Sequence, residues 1–81
     1  MVISIDFCGI QRTHTKTGSI EVNLSSPIKV TDVLEYIRIK YPELPIDKSS
    51  ILATVNHEVT TLERELKAND KVSFFPHIGG G

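Results

Sequence analysis

Apolar and polar residues alternate along two stretches in the first third of the chain. The alternation covers residues 1–7 (MVISIDF) and residues 19–25 (SIEVNLS), with a large apolar side chain at every second position. A period of two is typical of strands that bury one face. Residues 9–18 (GIQRTHTKTG) are polar and bounded by glycines, which predicts a loop. The two strands are therefore expected to pair as a hairpin.

The period changes to that of a helix in residues 29–42 (KVTDVLEYIRIKYP). Its apolar stripe at helical spacing consists of Val30, Val33, Leu34, Ile37 and Tyr41. Thr31 is the expected N-cap, and Asp32 suits the positive end of the helix dipole. Pro42 ends the helix, because the residue before a proline avoids the helical region.

The second half of the chain returns to strands. Residues 51–59 (ILATVNHEV) are rich in strand-forming residues, with a turn expected near residues 56–57. Residues 62–66 place two leucines four apart, which suits a short helical turn. Residues 71–75 (KVSFF) predict a last strand, closed by Pro76.

This order of elements predicts the fold class. Strands that flank one main helix indicate an α+β domain, in which a mixed sheet carries the helix on one face. A β-grasp arrangement has this order of elements, although other α+β folds share it.

Length and charge limit the kind of protein. The 81 residues make one domain at most. The content of 40% hydrophobic and 23% charged residues is ordinary for a globular chain. The net charge of −1 argues against a nucleic-acid binder, which needs a basic excess, and against electrostatic attachment to a membrane.

Cysteine usage and the N-terminal residues predict the location. Cys8 is the one cysteine, so no internal disulfide can form, whereas small secreted domains usually need disulfides. The N-terminal residues alternate and lack the basic segment of a signal peptide. No apolar run approaches the roughly 20 residues that span a bilayer. We therefore expect a cytoplasmic protein.

The residues inside the domain do not predict a catalytic or metal site. His14, His57 and His77 do not stand at metal-ligand spacing with one another, with Cys8 or with a carboxylate. A pairing of Cys8 with a histidine would supply a nucleophile and a base. A lone cysteine beside a strand is more often a small buried apolar residue, and that interpretation is favoured here.

The residues before the terminal glycines predict a contact surface. Phe74 and Phe75 are adjacent in a strand and so face opposite sides of the sheet, and Phe74 is assigned to the core. Phe75 either lies exposed beside Pro76, His77 and Ile78, forming an apolar patch of the kind that marks contact sites, or is covered by the loop after the first strand.

The last three residues, 79–81, are all glycine. Glycine has no Cβ, so such a segment can enter a narrow channel in another protein and present its carboxylate there. Adenylation by ATP would turn that carboxylate into an electrophile open to sulfur or nitrogen nucleophiles. The alternative is an inert frayed end. The Phe-Phe-Pro sequence before the tail favours the first interpretation, a tail that enters a partner protein, over an inert end.

The segment LKANDKVSFFPHIGGG resembles the end of the MoaD-type sulfur carriers, the small subunits of molybdopterin synthase. Their usual ending is close to L-x-x-G-D-x-V-x-F-F-P-P-V-x-G-G, and the matching residues are Leu66, Asp70, Val72, Phe74, Phe75, Pro76, Gly80 and Gly81. Residues 53–58 (ATVNHE) resemble the A-V-N-x-E strand and turn of the family. More loosely, Phe7, Arg12 and Gly18 resemble its F-x-x-x-R-x-x-x-G pattern.

The resemblance implies a ubiquitin-like β-grasp domain over residues 1–76 and a flexible tail over residues 77–81. It implies a carrier rather than an enzyme, with no permanently bound cofactor and no metal. A MoeB/ThiF-type enzyme would use ATP to adenylate Gly81, and a sulfur donor protein would convert it to a thiocarboxylate. The large, MoaE-type synthase subunit would then use that sulfur to build molybdopterin, the organic part of the molybdenum or tungsten cofactor.

The resemblance also implies which residues meet these partners. Gly81 would carry the sulfur, and the partner-binding residues would be Arg12, Phe75, Pro76, His77, Ile78, Gly79 and Gly80. The sequence departs from the family at His77, which replaces the second proline, and at Asn69 and Lys71. These departures leave other pathways open, namely thiamine, cysteine and transfer-RNA thiolation, as well as a role as a ubiquitin-like protein modifier. A plain interaction module with an inert tail is the third alternative.

Overall fold

The structure is a computed structural model that describes residues 1–47, 49 and 51–76. The described part contains seven elements in chain order: β1 Val2–Asp6, α1 Gln11–Thr15, β2 Ser19–Asn23, α2 Val30–Lys40, β3 Ile51–Val55, β4 Glu58–Thr60 and β5 Lys71–Pro76. None of the helices in this part of the chain is long and apolar enough to cross a membrane.

The strands form one mixed sheet in the order β2-β1-β5-β3-β4. β1 and β2 pair antiparallel, with Ile5 opposite Ile20, which confirms the predicted hairpin. β5 lies between β1 and β3, parallel to β1 and antiparallel to β3. The predicted α+β class with a mixed sheet is therefore confirmed, and the last strand within the described residues, β5, is the central strand of the sheet.

The core lies between one face of the sheet and the apolar stripe of α2. Its fully buried members include Ile3, Ile5, Phe7, Val30, Val33, Leu34, Ile37, Val55, Val72 and Phe74. Four of the five predicted stripe residues are buried in α2. The fifth, Tyr41, caps the helix and meets Phe7 edge-on, with the ring centroids 5.6 Å apart.

The start of α2 differs from the prediction. Lys29 rather than Thr31 is the N-cap, and the helix begins at Val30. Thr31 already lies in the first turn, where its backbone N–H donates to the Leu62 carbonyl at 2.9 Å. The carboxylate of Asp32 accepts a hydrogen bond from the Lys29 N–H at 2.8 Å, so its predicted place at the positive helix end is confirmed.

Three connections also differ from the sequence expectation. Part of the loop predicted over residues 9–18 forms the short helix α1, which buries Gln11 and Thr15, four residues apart. Residues 62–66 contain one hydrogen-bonded turn, in which the Arg64 N–H donates to the Thr61 carbonyl at 3.3 Å, but no helix. The segment then runs beside the entry to α2, where the Leu66 N–H donates to the Ile28 carbonyl at 2.8 Å. The predicted turn at residues 56–57 is present, and it leads into the additional strand β4.

Candidate tail-docking face

β5 places its two phenylalanines on opposite faces of the sheet. The side chain of Phe74 is buried at 1% exposure in the core under α2, whereas Phe75 is 38% exposed on the other face. The predicted assignment of the two faces is confirmed, and the loop after β1 leaves Phe75 accessible. The name open face is used below for the side of the sheet away from α2.

Phe75 is part of an exposed apolar patch on the open face. Leu52 lies directly opposite Phe75 in the β3–β5 pair and is 41% exposed. Val59 lies opposite Thr54, which is the next outward residue of β3, and is 70% exposed. Leu52, Val59 and Phe75 are called the open-face patch. Exposed apolar residues grouped in this way mark contact surfaces.

The other half of the open face is polar. A shallow groove of about 460 Å³ runs over β2, β1 and the start of β5, and it is lined mainly by Ser4, Asp6, Ser19, Glu21 and Lys71. The Lys71 ammonium lies 3.9 Å from the Asp6 carboxylate. A partner that covers the whole open face would therefore meet an apolar half on β3–β4–β5 and a charged half on β2–β1.

Two residues of the family-like motifs hold β5 at its start. Asn56, in the turn after β3, donates from its side-chain amide to the Asp70 carboxylate at 3.0 Å and accepts from the Lys71 N–H at 3.0 Å. The other oxygen of Asp70 accepts from the Lys67 N–H at 2.8 Å. Asn69 has a φ of 70°, which explains why a glycine is usual there and why asparagine serves as well.

Arg12, the predicted partner contact in the first connection, has a local structural bond. Its Nε donates to the Phe7 carbonyl at 2.9 Å, and its side chain is otherwise exposed. The sequence analysis missed its neighbour Gln11, which is buried and bonds both Cys8 and Phe74. Its spacing was the available signal. The F-x-x-x-R pattern places its polar residue four positions after the phenylalanine, and Gln11, not Arg12, stands four positions after Phe7.

The expectation that Cys8 is buried is wrong, because the residue is partly exposed at the end of β1. Desolvation raises the pKa of its thiol, an effect to which Asp6 adds and which the charge of Arg12 opposes. A thiol with a raised pKa is a poor nucleophile at neutral pH. Within residues 1–47, 49 and 51–76, no three histidine, cysteine, aspartate or glutamate side chains are arranged to hold a metal ion.

The C-terminal site residues fall at the limit of the described chain. Pro76 ends β5 and lies opposite Ile51 of β3. The predicted tail residues His77, Ile78, Gly79, Gly80 and Gly81 lie outside the described residues. The described site thus consists of the strand that leads to the tail and of the open-face patch beside its end.

The order of the strands and the helix packed across them define a ubiquitin-like β-grasp protein. Residues 5–81 match the model of the ThiS family. The chain therefore belongs to the ThiS family of small ubiquitin-like sulfur carriers, which are not enzymes themselves. A search of the curated proteins gives no match.

Solved structures share this fold over nearly the whole chain. A putative molybdopterin converting factor subunit 1 from Pyrococcus furiosus is 20% identical, with a TM-score of 0.82, over 95% of this chain and 98% of that one. SAMP1 from Haloferax volcanii is 17% identical, with a TM-score of 0.80, over 100% of both chains. A chain of the complex of subunits 1 and 2 of molybdopterin-converting factor from Helicobacter pylori is 16% identical, with a TM-score of 0.66, over 100% of both chains.

Proposed function

We propose that this protein is a sulfur carrier whose C-terminal Gly81 is adenylated and thiocarboxylated to supply sulfur for molybdopterin, in molybdenum or tungsten cofactor synthesis. The observation that carries the proposal is the exposed Phe75 at the end of the central strand, in a chain of the ThiS family. In the sequence, His77 and Ile78 alone separate that strand from the three glycines. The open-face patch gives a partner enzyme a surface to hold while it works on the terminus.

The chemistry takes place at the terminal carboxylate. A carboxylate oxygen of Gly81 attacks the α-phosphorus of ATP in the active site of a MoeB/ThiF-type enzyme, and pyrophosphate leaves. A sulfur nucleophile from a sulfur donor protein then attacks the acyl carbon, and AMP leaves with the bonding electron pair. Attack by the outer sulfur of a donor persulfide gives an acyl disulfide. A thiol then attacks the donor-side sulfur, so that the Gly81 thiocarboxylate leaves with the electron pair of the S–S bond and the thiol and the donor are joined in a disulfide. Because Gly79, Gly80 and Gly81 have no side chains, the enzyme channel can be narrow.

The proposed consumer of the sulfur is the large, MoaE-type subunit of a molybdopterin synthase. Three observations support this pathway: the similarity to a putative molybdopterin converting factor subunit 1, the similarity to a chain of the complex of subunits 1 and 2 of a molybdopterin-converting factor, and the Phe-Phe-Pro sequence before the tail. In this proposal Phe75, Pro76, His77 and Ile78 dock on the partner, with Arg12 as a further contact. The carrier would act in the cytoplasm and hold no permanent cofactor, since ATP belongs to the activating enzyme.

A ubiquitin-like modifier is the second candidate function. The similarity to SAMP1 from Haloferax volcanii favours it, since SAMP1 is described as a small archaeal modifier protein. In this case a lysine amine of a target protein would attack the Gly81 adenylate and form an isopeptide bond. Both functions share the activation step, so they differ only in the nucleophile that follows.

The test is to incubate the intact chain with ATP, a MoeB/ThiF-type enzyme, a persulfide donor and a thiol reductant, and then to measure the mass of the chain by mass spectrometry. The proposal expects a gain equal to one oxygen replaced by one sulfur, located on Gly81. A variant that lacks Gly80 and Gly81 is the control and should gain nothing. An unchanged mass, under conditions that charge an established carrier, would contradict the proposal.

The charged protein then separates the two functions. Mixed with a MoaE-type subunit and the cyclic pyranopterin precursor, a molybdopterin carrier yields molybdopterin and returns to its original mass. A modifier instead leaves the C-terminal fragment of its tail, joined through Gly81, on the lysines of cellular proteins; after tryptic cleavage behind Lys71 this fragment is residues 72–81 (VSFFPHIGGG).

A further inference from the structure

The parallel ladder between β1 and β5 has one rung made by a side chain. The two strands are in register from Ser4 opposite Lys71 to Asp6 opposite Ser73, and the Ser4 N–H donates to the Asp70 carbonyl at 3.0 Å. Bonds of a parallel ladder repeat every second residue along each strand. Two steps of this repeat lead from Ser4 to Cys8 and from Asp70 to Phe74. The next rung would therefore join the Cys8 N–H to the Phe74 carbonyl.

The side-chain amide of Gln11 stands in the place of that direct bond. Its Oε1 accepts from the Cys8 N–H at 3.1 Å, and its Nε2 donates to the Phe74 carbonyl at 2.8 Å. A carboxamide offers the acceptor and donor of a peptide group, so the inserted side chain continues the ladder across a wider gap. Gln11 is only 4% exposed, which keeps water from competing for these bonds.

This rung lies just before the point where the tail begins. On one side, β3 pairs with β5 as far as Ile51 opposite Pro76. On the other side, the register with β1 ends at Ser73. The Gln11 amide therefore holds Phe74 from the β1 side, one residue before Phe75 and two before Pro76. The end of the central strand is restrained from both sides only while this amide is in place.

We propose that Gln11 is a positioning residue of the carrier, whose amide fixes the direction in which β5 ends and so presents Phe75 to the partner enzyme. The inference rests on the proposed function for its biological meaning. Without the amide, the end of β5 keeps the ladder with β3 and the core packing of Phe74 but loses its hydrogen bond on the β1 side, so the strand end samples more directions. A partner must then select the competent direction, which weakens apparent binding and leaves the chemistry at Gly81 unchanged.

Two substitutions distinguish the hydrogen bond that Gln11 accepts from Cys8 from the one that it donates to Phe74. Gln11→Met keeps the length of the side chain and removes both hydrogen bonds. Gln11→Glu keeps the acceptor for the Cys8 N–H, but at neutral pH it places a carboxylate against the Phe74 carbonyl. Burial and this facing carbonyl raise the pKa of the new carboxyl, and its protonated form can donate to Phe74 again. Thr13→Ala, at an exposed position of the same short helix, is the matched control.

The first measurement is amide hydrogen exchange by NMR, which does not depend on any partner. The Cys8 amide should exchange slowly in the parent protein and in Gln11→Glu, and about tenfold or more faster in Gln11→Met. The carbonyl-carbon shift of Phe74 should move in both variants and return in Gln11→Glu as the pH falls through the pKa of the new carboxyl. An unmoved Phe74 carbonyl in both variants would overturn the structural half of the proposal.

The second measurement is the steady-state adenylation of each variant by a MoeB/ThiF-type enzyme. We expect Gln11→Met to raise the KM for the carrier about tenfold, with kcat within about twofold of the parent, while Thr13→Ala changes neither. The KM of the Gln11→Glu variant should fall toward that of the parent protein as the pH falls. If the parent is charged and Gln11→Met has the parental KM, the positioning role is wrong and the carrier function stands. If the parent is not charged, the carrier function fails and the NMR result alone decides the role of Gln11.

Discussion

The side-chain amide of Asn56 donates to the carboxylate of Asp70 across 3.0 Å, joining the turn after β3 to the start of the central strand. The same asparagine accepts from the Lys71 N–H, and Asp70 also accepts from the Lys67 N–H. The positions that resemble the family most therefore include residues with a structural task. They hold β5 at its start, and Gln11 holds it near its end.

Removal of the Asp70 carboxylate should destabilise the domain. Asp70→Ala leaves the Asn56 amide and the Lys67 N–H without their partner, and we expect a loss of about 1 to 3 kcal/mol in the free energy of unfolding, measured by urea denaturation. Glu43→Ala, at an exposed acidic position, is the control and should change stability by less than about 0.5 kcal/mol. Equal stabilities of the two variants would show that this network contributes nothing.

Truncation of the core under α2 should cost more than truncation of the open-face patch. Leu34→Ala removes a fully buried side chain and should lower the free energy of unfolding by about 2 to 5 kcal/mol. Ile5→Ala on β1 should fall in the same range. Val59→Ala, on the open face, should cost less than about 1 kcal/mol, since most of that side chain is already in water. These values are measured by thermal and urea unfolding of the three variants. A loss of about 2 kcal/mol or more in Val59→Ala would contradict the exposed position of that residue.

Charge placed in the open-face patch should weaken partner binding without unfolding the protein. Phe75→Asp and Val59→Asp put a carboxylate where the proposed enzyme contact is apolar, so the KM for adenylation should rise at least about tenfold. Ile39→Asp is the matched control, because Ile39 is exposed on α2, away from the open face. A similar KM for all three variants would mean that the partner binds elsewhere.

Loss of the terminal glycines should abolish charging while the fold stays intact. A chain without Gly80 and Gly81 should unfold at the urea concentration of the parent and gain no sulfur. Gly81→Ala should also fold normally and be charged more slowly, because its methyl group must enter the channel of the enzyme. Full charging of the truncated chain would rule out the terminus as the reactive group.

The thiol of Cys8 should react slowly at neutral pH. Its raised pKa leaves a smaller thiolate fraction than in a free cysteine, and only the thiolate attacks iodoacetamide. The alkylation rate should therefore rise with pH and reach its midpoint above the ordinary value. Arg12→Met removes the positive charge that lowers this pKa, so the midpoint should move higher still. A midpoint that moves lower would contradict the assigned role of Arg12.

Local pattern predicted most of the fold because the core is built from regular alternation and one helical stripe. The strands around Ile5, Val22 and Phe74 and the helix around Leu34 follow directly from spacing. The short helix α1 could not be predicted in this way, because it buries Gln11 rather than an apolar stripe. The prediction of Thr31 as the N-cap of α2 is wrong. Its backbone N–H bonds the Leu62 carbonyl, on a segment that is distant in sequence, and Lys29 is the N-cap.

Only part of the candidate site was visible in the sequence. Adjacent residues of a strand face opposite sides, so the place of Phe75 on the face opposite Phe74 followed from the sequence. Its exposure did not follow, because the sequence left open whether the loop after β1 covers it. The other members of the open-face patch did not follow, because the register of three strands places Leu52 opposite Phe75 and Val59 on the same face one strand further out. The bond from Gln11 to Phe74 spans 63 positions of the chain, and no local pattern records it.

The central position of β5 has a mechanical consequence. Under the proposed function, a partner enzyme that pulls on the C-terminal end of the chain would load a strand that is hydrogen-bonded to β1 on one side and to β3 on the other. These bonds lie across the pulling direction and are loaded together in shear, whereas an edge strand would be unzipped one bond at a time. The sheet therefore acts as an anchor, from which a partner can draw the terminus taut without unravelling the domain that carries it.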